Sequence, residues 1–285
     1  MKNLNRIELK ELSIFLSKIF KKNLNFQFKN KFSTEFLNWL YNKNPNGKAI
    51  VNNIYKDKKI IAHFALVPIK VKFNNKIYKS ALSVCTAVDK YHRGLFFFHQ
   101  LANKSFVRAK SKGIRFIIGV GNKTSSDLFI KCFNFKLISP LDVKVGLSNF
   151  QEKDYLKHRF EILRDKATLD WRLKNPMFKY QIYEEKQKYY VFNNNYKIFK
   201  INMGNFSNKN LNLQNNKLLR MTDNLNPLNI WIGLNNNLKN TKMSFSLPKF
   251  LKPSSLNLII KDLKLKETSL KKKDIKFNLI DFEIF

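Results

Sequence analysis

The chain has 285 residues, enough for one large or two modest domains with a sizeable core, and its 44% hydrophobic and 14% aromatic content excludes a disordered chain. No stretch approaches the ~20 consecutive apolar residues of a membrane helix, and the first residues hold neither a long apolar run nor a small-residue cleavage site, so a cytoplasmic protein is expected. The net charge of +34 fits a nucleic-acid partner, but the cations are dispersed apart from Lys271-Lys272-Lys273, and no zinc spacing or helix-turn-helix pattern accompanies them. Lys, Asn, Ile and Phe are abundant while Arg, Ala and Gly are scarce, which is what an AT-rich coding bias writes at free surface positions. Nucleic acid is therefore discounted, though the excess charge favours anionic ligands. Cys85 and Cys132 sit in apolar contexts without metal or CxxC-type spacing and read as buried thiols of a reducing compartment.

Residues 4–20 carry a helix-like apolar face, and 34–41 read as a second, short helix capped by Ser33 or Thr34 and ended near Asn44-Pro45. Residues 49–55 and 59–68 read as strands around an Asp57-Lys58 turn. The second continues through Val71 to Phe73, and Asn74-Asn75 turns the chain into a further strand at Ile77-Tyr78. His63, on the second of these strands, is a weak candidate general base; the alternative is a satisfied, half-buried histidine. Residues 81–88 (ALSVCTAV) are short, apolar and β-branched, as in a buried strand, and Asp89 after them is expected to be exposed. Leu95, Phe98, Leu101, Ala102, Ser105, Phe106 and Ala109 then recur at helical spacing, with Gly113 placed to stop that helix. Residues 116–120 form another apolar strand ended by Gly121-Asn122, and Thr124 or Ser125 can cap a short helix through Cys132.

The chemistry of such a unit lies where the first strand turns into its helix. A helix N-terminus presents unbonded N–H groups and about half a positive charge, which attract phosphate. Gly94 lets backbone approach an anion closely, Arg93 adds a planar fork of donors, and His92 beside it can touch phosphate.

In this order of parts, residues 81–135 resemble the GNAT acyltransferases, which move an acyl group from acyl-CoA, usually to an amine. That family carries an Arg-x-x-Gly-x-Gly/Ala turn between the central strand and its helix, whose amides hold the CoA pyrophosphate. Val88, Arg93, Gly94 and Leu101 fit this half, and Asn122, Ser125, Phe129 and the Asn134-Phe135 pair fall on the family's later Asn, small, aromatic and Gly-Phe positions. Two departures stand out. The second family glycine falls at Phe96, and Phe129 replaces the Tyr that many members use to protonate the leaving thiolate; Phe has no proton to give. The resemblance implies an α/β (α+β) fold with a mixed central sheet flanked by helices. It implies acetyl-CoA as co-substrate, with Val84, Thr86 and Val88 along the pantetheine arm and His92, Arg93, Gly94, Leu95 and Phe96 at the pyrophosphate. Asn122, Ser125 and Phe129 line the far side.

An internal echo extends the picture. Residues 36–45 (FLNWLYNKNP) return as 169–176 (LDWRLKNP), each followed by an apolar hairpin pattern, 49–68 and 180–201. The expected organisation is therefore a GNAT-like domain at 1–148 and a degenerate copy at 149–285, which shapes an acceptor cleft or completes the first sheet. In the second part, 207–216 and 235–242 read as loops and 230–234 and 256–260 as strands. Ile275, Phe277 and Leu279, then Ile280, Phe282 and Ile284, read as a closing strand with a register change. The function expected is an acyl-CoA-dependent N-acyltransferase, with an amino sugar of surface polysaccharide as acceptor. The alternative is a non-catalytic protein that keeps the fold and binds CoA.

Overall fold

A computed structural model describes residues 3–20, 32–147, 150–152, 158–185, 188–193, 199–207, 218–219, 228–234, 238, 244–248, 255–264 and 269–282. Two helices come first, α1 (Arg6–Phe20) and α2 (Thr34–Tyr41). A meander follows: β1 (Ile50–Lys56), β2 (Lys59–Phe73) and β3 (Lys76–Val88). Next are α3 (Leu95–Ser111), β4 (Phe116–Gly121), α4 (Lys123–Phe133), β5 (Lys136–Pro140) and β6 (Asp142–Gly146). The later chain adds β7 (Phe160–Ile162), α5 (Lys166–Leu173), β8 (Tyr180–Glu185), β9 (Lys188–Asn193), β10 (Phe199–Ser207) and β11 (Leu218–Leu219). It closes with β12 (Leu228–Gly233), β13 (Ser244–Ser246), β14 (Asn257–Asp262) and β15 (Ile275–Lys276).

Local chemistry accounts for the punctuation. Asp57, Lys58, Asn74 and Asn75 all take positive φ (48, 59, 47 and 64°), so both hairpins of the meander close on two-residue turns of the hand that matches strand twist. The Ser33 hydroxyl accepts the Phe36 amide at 3.1 Å and starts α2. Neither Thr124 nor Ser125 caps α4. Asn122 does, its side-chain oxygen accepting the Ser125 amide at 2.9 Å, because an Asx cap needs an acceptor one residue before the helix.

Among the described residues the strands form two mixed sheets, ordered β15-β7-β2-β3-β4-β14-β5 (with β1 also on β2) and β11-β8-β9-β10-β12-β6-β13. They share one pairing plan. In the first, β1, β2 and β3 run antiparallel, β3 is parallel to β4, and β14 lies antiparallel between β4 and β5. In the second, β8, β9 and β10 run antiparallel, β10 is parallel to β12, and β6 lies antiparallel between β12 and β13. The inserted strands are exchanged: β14 comes from the late chain and completes the early sheet, while β6 comes from the early chain and completes the late one. The closing segment differs from expectation. After Ile275–Lys276 the chain bridges at Asn278 and winds into a 3₁₀ turn, Leu279–Asp281, which gathers its apolar residues without a strand; Ile284 lies outside the described residues. Of the two expected loops, residue 207 still belongs to β10 and Leu238 bridges Glu152; residues 208–216, 235–237 and 239–242 also lie outside the described set.

The first sheet is buried on both faces. Along β2, Ala65, Val67, Ile69 and Val71 face the core shared with α1 and α2, while Ala62, Phe64 and Leu66 face the core under α3 and α4. Ser105 accepts Asn52 Nδ2 at 2.7 Å and donates to the Leu101 carbonyl, which satisfies the hydroxyl in that apolar stripe. No helix among the described residues is long and apolar enough to cross a membrane.

Candidate active site

The site begins where two parallel strands part. The β3–β4 register runs from Ser80 opposite Phe116 to Ser83 opposite Gly119 and stops, although β3 continues to Val88. The cause is a bulge. Against β2, His63 pairs with Ala87 and Ala65 with Val84, so Cys85 and Thr86 together face Phe64, and Cys85 takes φ +53°. Inward facing shifts accordingly: Leu82 and Val84 reach the core, then Ala87 in place of residue 86.

A cavity of about 270 Å³ fills the fork. Val84, Cys85 and Thr86 line one side and Gly121, Asn122, Ser125 and Phe129 the other, with Phe20, Phe32 and Phe282 as apolar walls. Five residues expected to touch a cofactor therefore meet here: Val84, Thr86, Asn122, Ser125 and Phe129. Phe129 is also a core residue, packed against Phe98 and Phe135 with ring centres 5.2 and 5.0 Å away. The cavity lining described holds hydroxyls, an amide and a thiol, but no carboxylate or imidazole.

The other expected residues lie at the end of β3 and beyond it. Val88 pairs with Ala62 and packs under α3. Lys90–His92 form one 3₁₀ turn, and Asp89 is buried, not exposed as expected. Its carboxylate accepts the Tyr91 amide at 3.1 Å and pairs with Lys18 at 3.1 Å, which fastens the corner to α1. Burial alone would raise its pKa, but the Tyr91 amide and Lys18 outweigh it and hold it below the usual carboxylate range. Arg93 is exposed and His92 half-buried. Gly94, at φ +156°, is the N-cap of α3, and open space lies where its Cβ would be. No side chain caps this helix and no carboxylate stands in its first turn, which begins at Leu95. Phe96 is 71% exposed, so its ring does not plug the corner.

His63 is not in the cavity. It is fully buried, with Nε2 3.1 Å from the Tyr41 hydroxyl and Nδ1 2.7 Å from Asn53 Oδ1. Burial lowers its pKa to about 3, so the ring is neutral, fully bonded and out of reach of an acceptor amine. Cys85 is the lining residue that sequence reasoning took for a core thiol. Only the bulge turns it to the cavity, and a run of β-branched and apolar residues carries no sign of a bulge.

The second sheet repeats the fork and closes it. β10 and β12 pair from Phe199 opposite Leu228 to Asn202 opposite Trp231. Gly204, at φ +133°, stands two residues past the last pair, as Cys85 does after Ser83. The chain's own residues 277–282 occupy this fork: Asn278 bridges Gly233, the Leu234 amide donates to the Phe277 carbonyl at 3.0 Å, and Asn278 Nδ2 lies 3.1 Å from a Gly204 Cβ position. Arg164 clamps the segment, bonding Asp281 at 2.9 and 2.6 Å and Asn278 at 2.9 Å.

The repeated Trp segments meet between the sheets. Trp39 and Trp171 stack with ring centres 4.6 Å apart at 17°, and each indole N–H donates to the other's carbonyl, at 2.8 and 3.1 Å. Asn44 and Asn175 each accept the amide two residues on, at 2.9 and 3.0 Å, ahead of the following hairpin.

No protein-family model and no curated protein sequence matches the chain. Solved structures do. One is a conserved protein of unknown function from Enterococcus faecalis V583, described as a probable N-acyltransferase, with TM-score 0.57 and 11% identity over 93% of this chain and 72% of that one. Another is a GCN5-related N-acetyltransferase from Anabaena variabilis ATCC 29413, with TM-score 0.57 and 11% identity over 92% and 72% of the two chains. At such identity the likeness establishes the fold: a mixed α/β GNAT-type sheet with a second sheet beside it.

Proposed function

We propose that this chain, whose fold is that of the GNAT acyltransferases, transfers an acyl group from acyl-CoA to an amine, with acetyl-CoA as the donor. The observation that carries the proposal is the fork itself, in which β3 leaves β4 beside a cavity and leads, through one 3₁₀ turn, to a helix N-terminus without a side-chain cap, flanked by Arg93. In this reading the pantetheine arm lies against Val84, Thr86 and Val88, where β3 has lost its parallel partner. The diphosphate rests on the amides from Gly94 to Phe96, with Arg93 and His92 beside it. Asn122 and Ser125 form the opposite wall. The bent strand also offers backbone N–H groups to the oxyanion that develops as the amine attacks.

The pairing plan and the reciprocal Trp39–Trp171 contact support a tandem origin, with 149–285 a degenerate copy of 1–148 that has exchanged a strand with it. Only the early fork is then a working site, because residues 277–282 fill the late one. A cytoplasmic setting, where acyl-CoA is available, fits, and an amino sugar of surface polysaccharide heads the acceptors to be tried. The test is release of free thiol from acetyl-CoA with a panel of amines: thiol above the amine-free background is expected. Phe129 and the absence of a carboxylate or imidazole from the described lining favour one other reading, a CoA-binding protein without turnover. Thermal stabilisation by acetyl-CoA with no amine-dependent thiol would select it.

A further inference from the structure

Cys85 combines three features that packing does not require. It lines the cavity. It holds the left-handed region at φ +53°, which costs an L-residue about 1–2 kcal/mol, whereas the matching place in the closed fork is glycine. It also neighbours Tyr41, whose pKa it helps to raise and which heads a buried chain that continues to His63 and Asn53. The direction of that chain follows from its far end. Asn53 Oδ1 can only accept, so His63 carries its proton on Nδ1 and leaves Nε2 bare. Tyr41 therefore donates to Nε2, and its oxygen is left able to accept from a neighbouring donor. Tyr41 keeps its proton, since burial first and Cys85 second push its pKa well above the ordinary value, and His63 is too weak a base to draw one along the chain. The phenol beside Cys85 is thus able to turn its O–H toward a thiolate.

We infer that the Cys85 thiol is the proton shuttle of the acyl-transfer step, doing for the leaving sulfur what Phe129 cannot. The inference rests on the proposed acyl-CoA reaction. The amine nitrogen bonds to the thioester carbon; as the carbon–sulfur bond breaks, the CoA sulfur takes the proton from Cys85 Sγ. The Cys85 thiolate, held by the Tyr41 O–H, recovers a proton from the newly acylated nitrogen, so the amide and CoA leave neutral and the enzyme is unchanged. Two thiols of similar acidity exchange a proton with little driving force either way, which suits a shuttle. The hydroxyls of Ser83, Thr86 and Ser125 in the same lining are far weaker acids.

The test has two arms. In the wild type, iodoacetamide should alkylate Cys85, and CoA should suppress the reaction there but not at Cys132, which lies outside the cavity. In steady-state assays with acetyl-CoA and the best amine, Cys85→Ala and Cys85→Ser should each lower kcat about 100-fold or more while CoA Kd stays within about threefold. Tyr41→Phe should lower kcat less. Equal kcat in wild type and Cys85→Ala overturns the shuttle and leaves the acyltransferase reading standing. An acetyl group lodged on Cys85 without amine would overturn it too, by making the sulfur a nucleophile. Should the variants misfold, CoA failing to protect Cys85 in the wild type is sufficient to reject it. Wild-type protein that binds no acetyl-CoA, or binds it without turnover, fails the reaction itself and the shuttle with it.

Discussion

His63 shows how a residue's chemistry depends on what surrounds it. On the sequence it is a histidine near a presumed active strand; in the fold it is sealed between Tyr41 and Asn53 with its pKa lowered by burial to about 3. An unfolded chain takes up that proton near pH 6.5 and the folded chain does not, so the stabilisation is complete above pH 6.5 and falls as pH drops toward 3. The slope from this group is about 1.4 kcal/mol per pH unit, or roughly 2 kcal/mol between pH 6.5 and 5. Burial lowers His158 as well and adds to the slope. Urea melts at pH 7 and pH 5 should therefore show a steep loss in the wild type and a shallower one in His63→Gln; parallel losses would mean that His63 is solvated. Arg93 carries the opposite expectation. It stands exposed at the α3 corner, so Arg93→Ala should leave the urea midpoint unchanged and weaken CoA at least tenfold, and an unaltered CoA affinity would place the phosphate elsewhere.

At the scale of elements, the Trp-bearing helices α2 and α5 make the joint between the sheets. A stacked pair contributes about 0.5–1.5 kcal/mol beyond its burial, and two buried hydrogen bonds add roughly 1 kcal/mol each. Trp39→Phe and Trp171→Phe should each cost about 2 kcal/mol in urea melts, and the double variant less than their sum, because either change breaks the same contact. Strict additivity would show the rings to be independent. The α2 segment was legible in the sequence through its hydroxyl cap, apolar spacing and closing Asn-Pro, and both meander turns through Asp57-Lys58 and Asn74-Asn75. The α3 stripe was legible through helical periodicity. The bulge at Cys85 was not, since one inserted residue alters which face a side chain takes without altering composition. The burial of Asp89 was also hidden, because its partner Lys18 lies far away in the chain, on α1.

For the whole molecule, the exchange of β14 and β6 links the two sheets, so neither 1–148 nor 149–285 holds every strand of its own sheet. The echo was legible in the sequence, as was, among the two roles expected of the second half, completion of the first sheet, which β14 provides. The passage of β6 into the second sheet was not, because strand order is fixed by long-range pairing that no local pattern encodes. Separate expression of 1–148 should give a species without a cooperative urea transition, and a sharp transition like that of the full chain would contradict the role of β14. Of the two equivalent forks, the early one is proposed to accept acyl-CoA, while residues 277–282 fill the late one. Diffraction from crystals soaked in acetyl-CoA addresses this assignment most directly. One nucleotide per chain is expected, its diphosphate on the amides from Gly94 to Phe96 and its thioester beside Cys85. Density for the nucleotide between β10 and β12, or none between β3 and β4 at saturating acetyl-CoA, would contradict it.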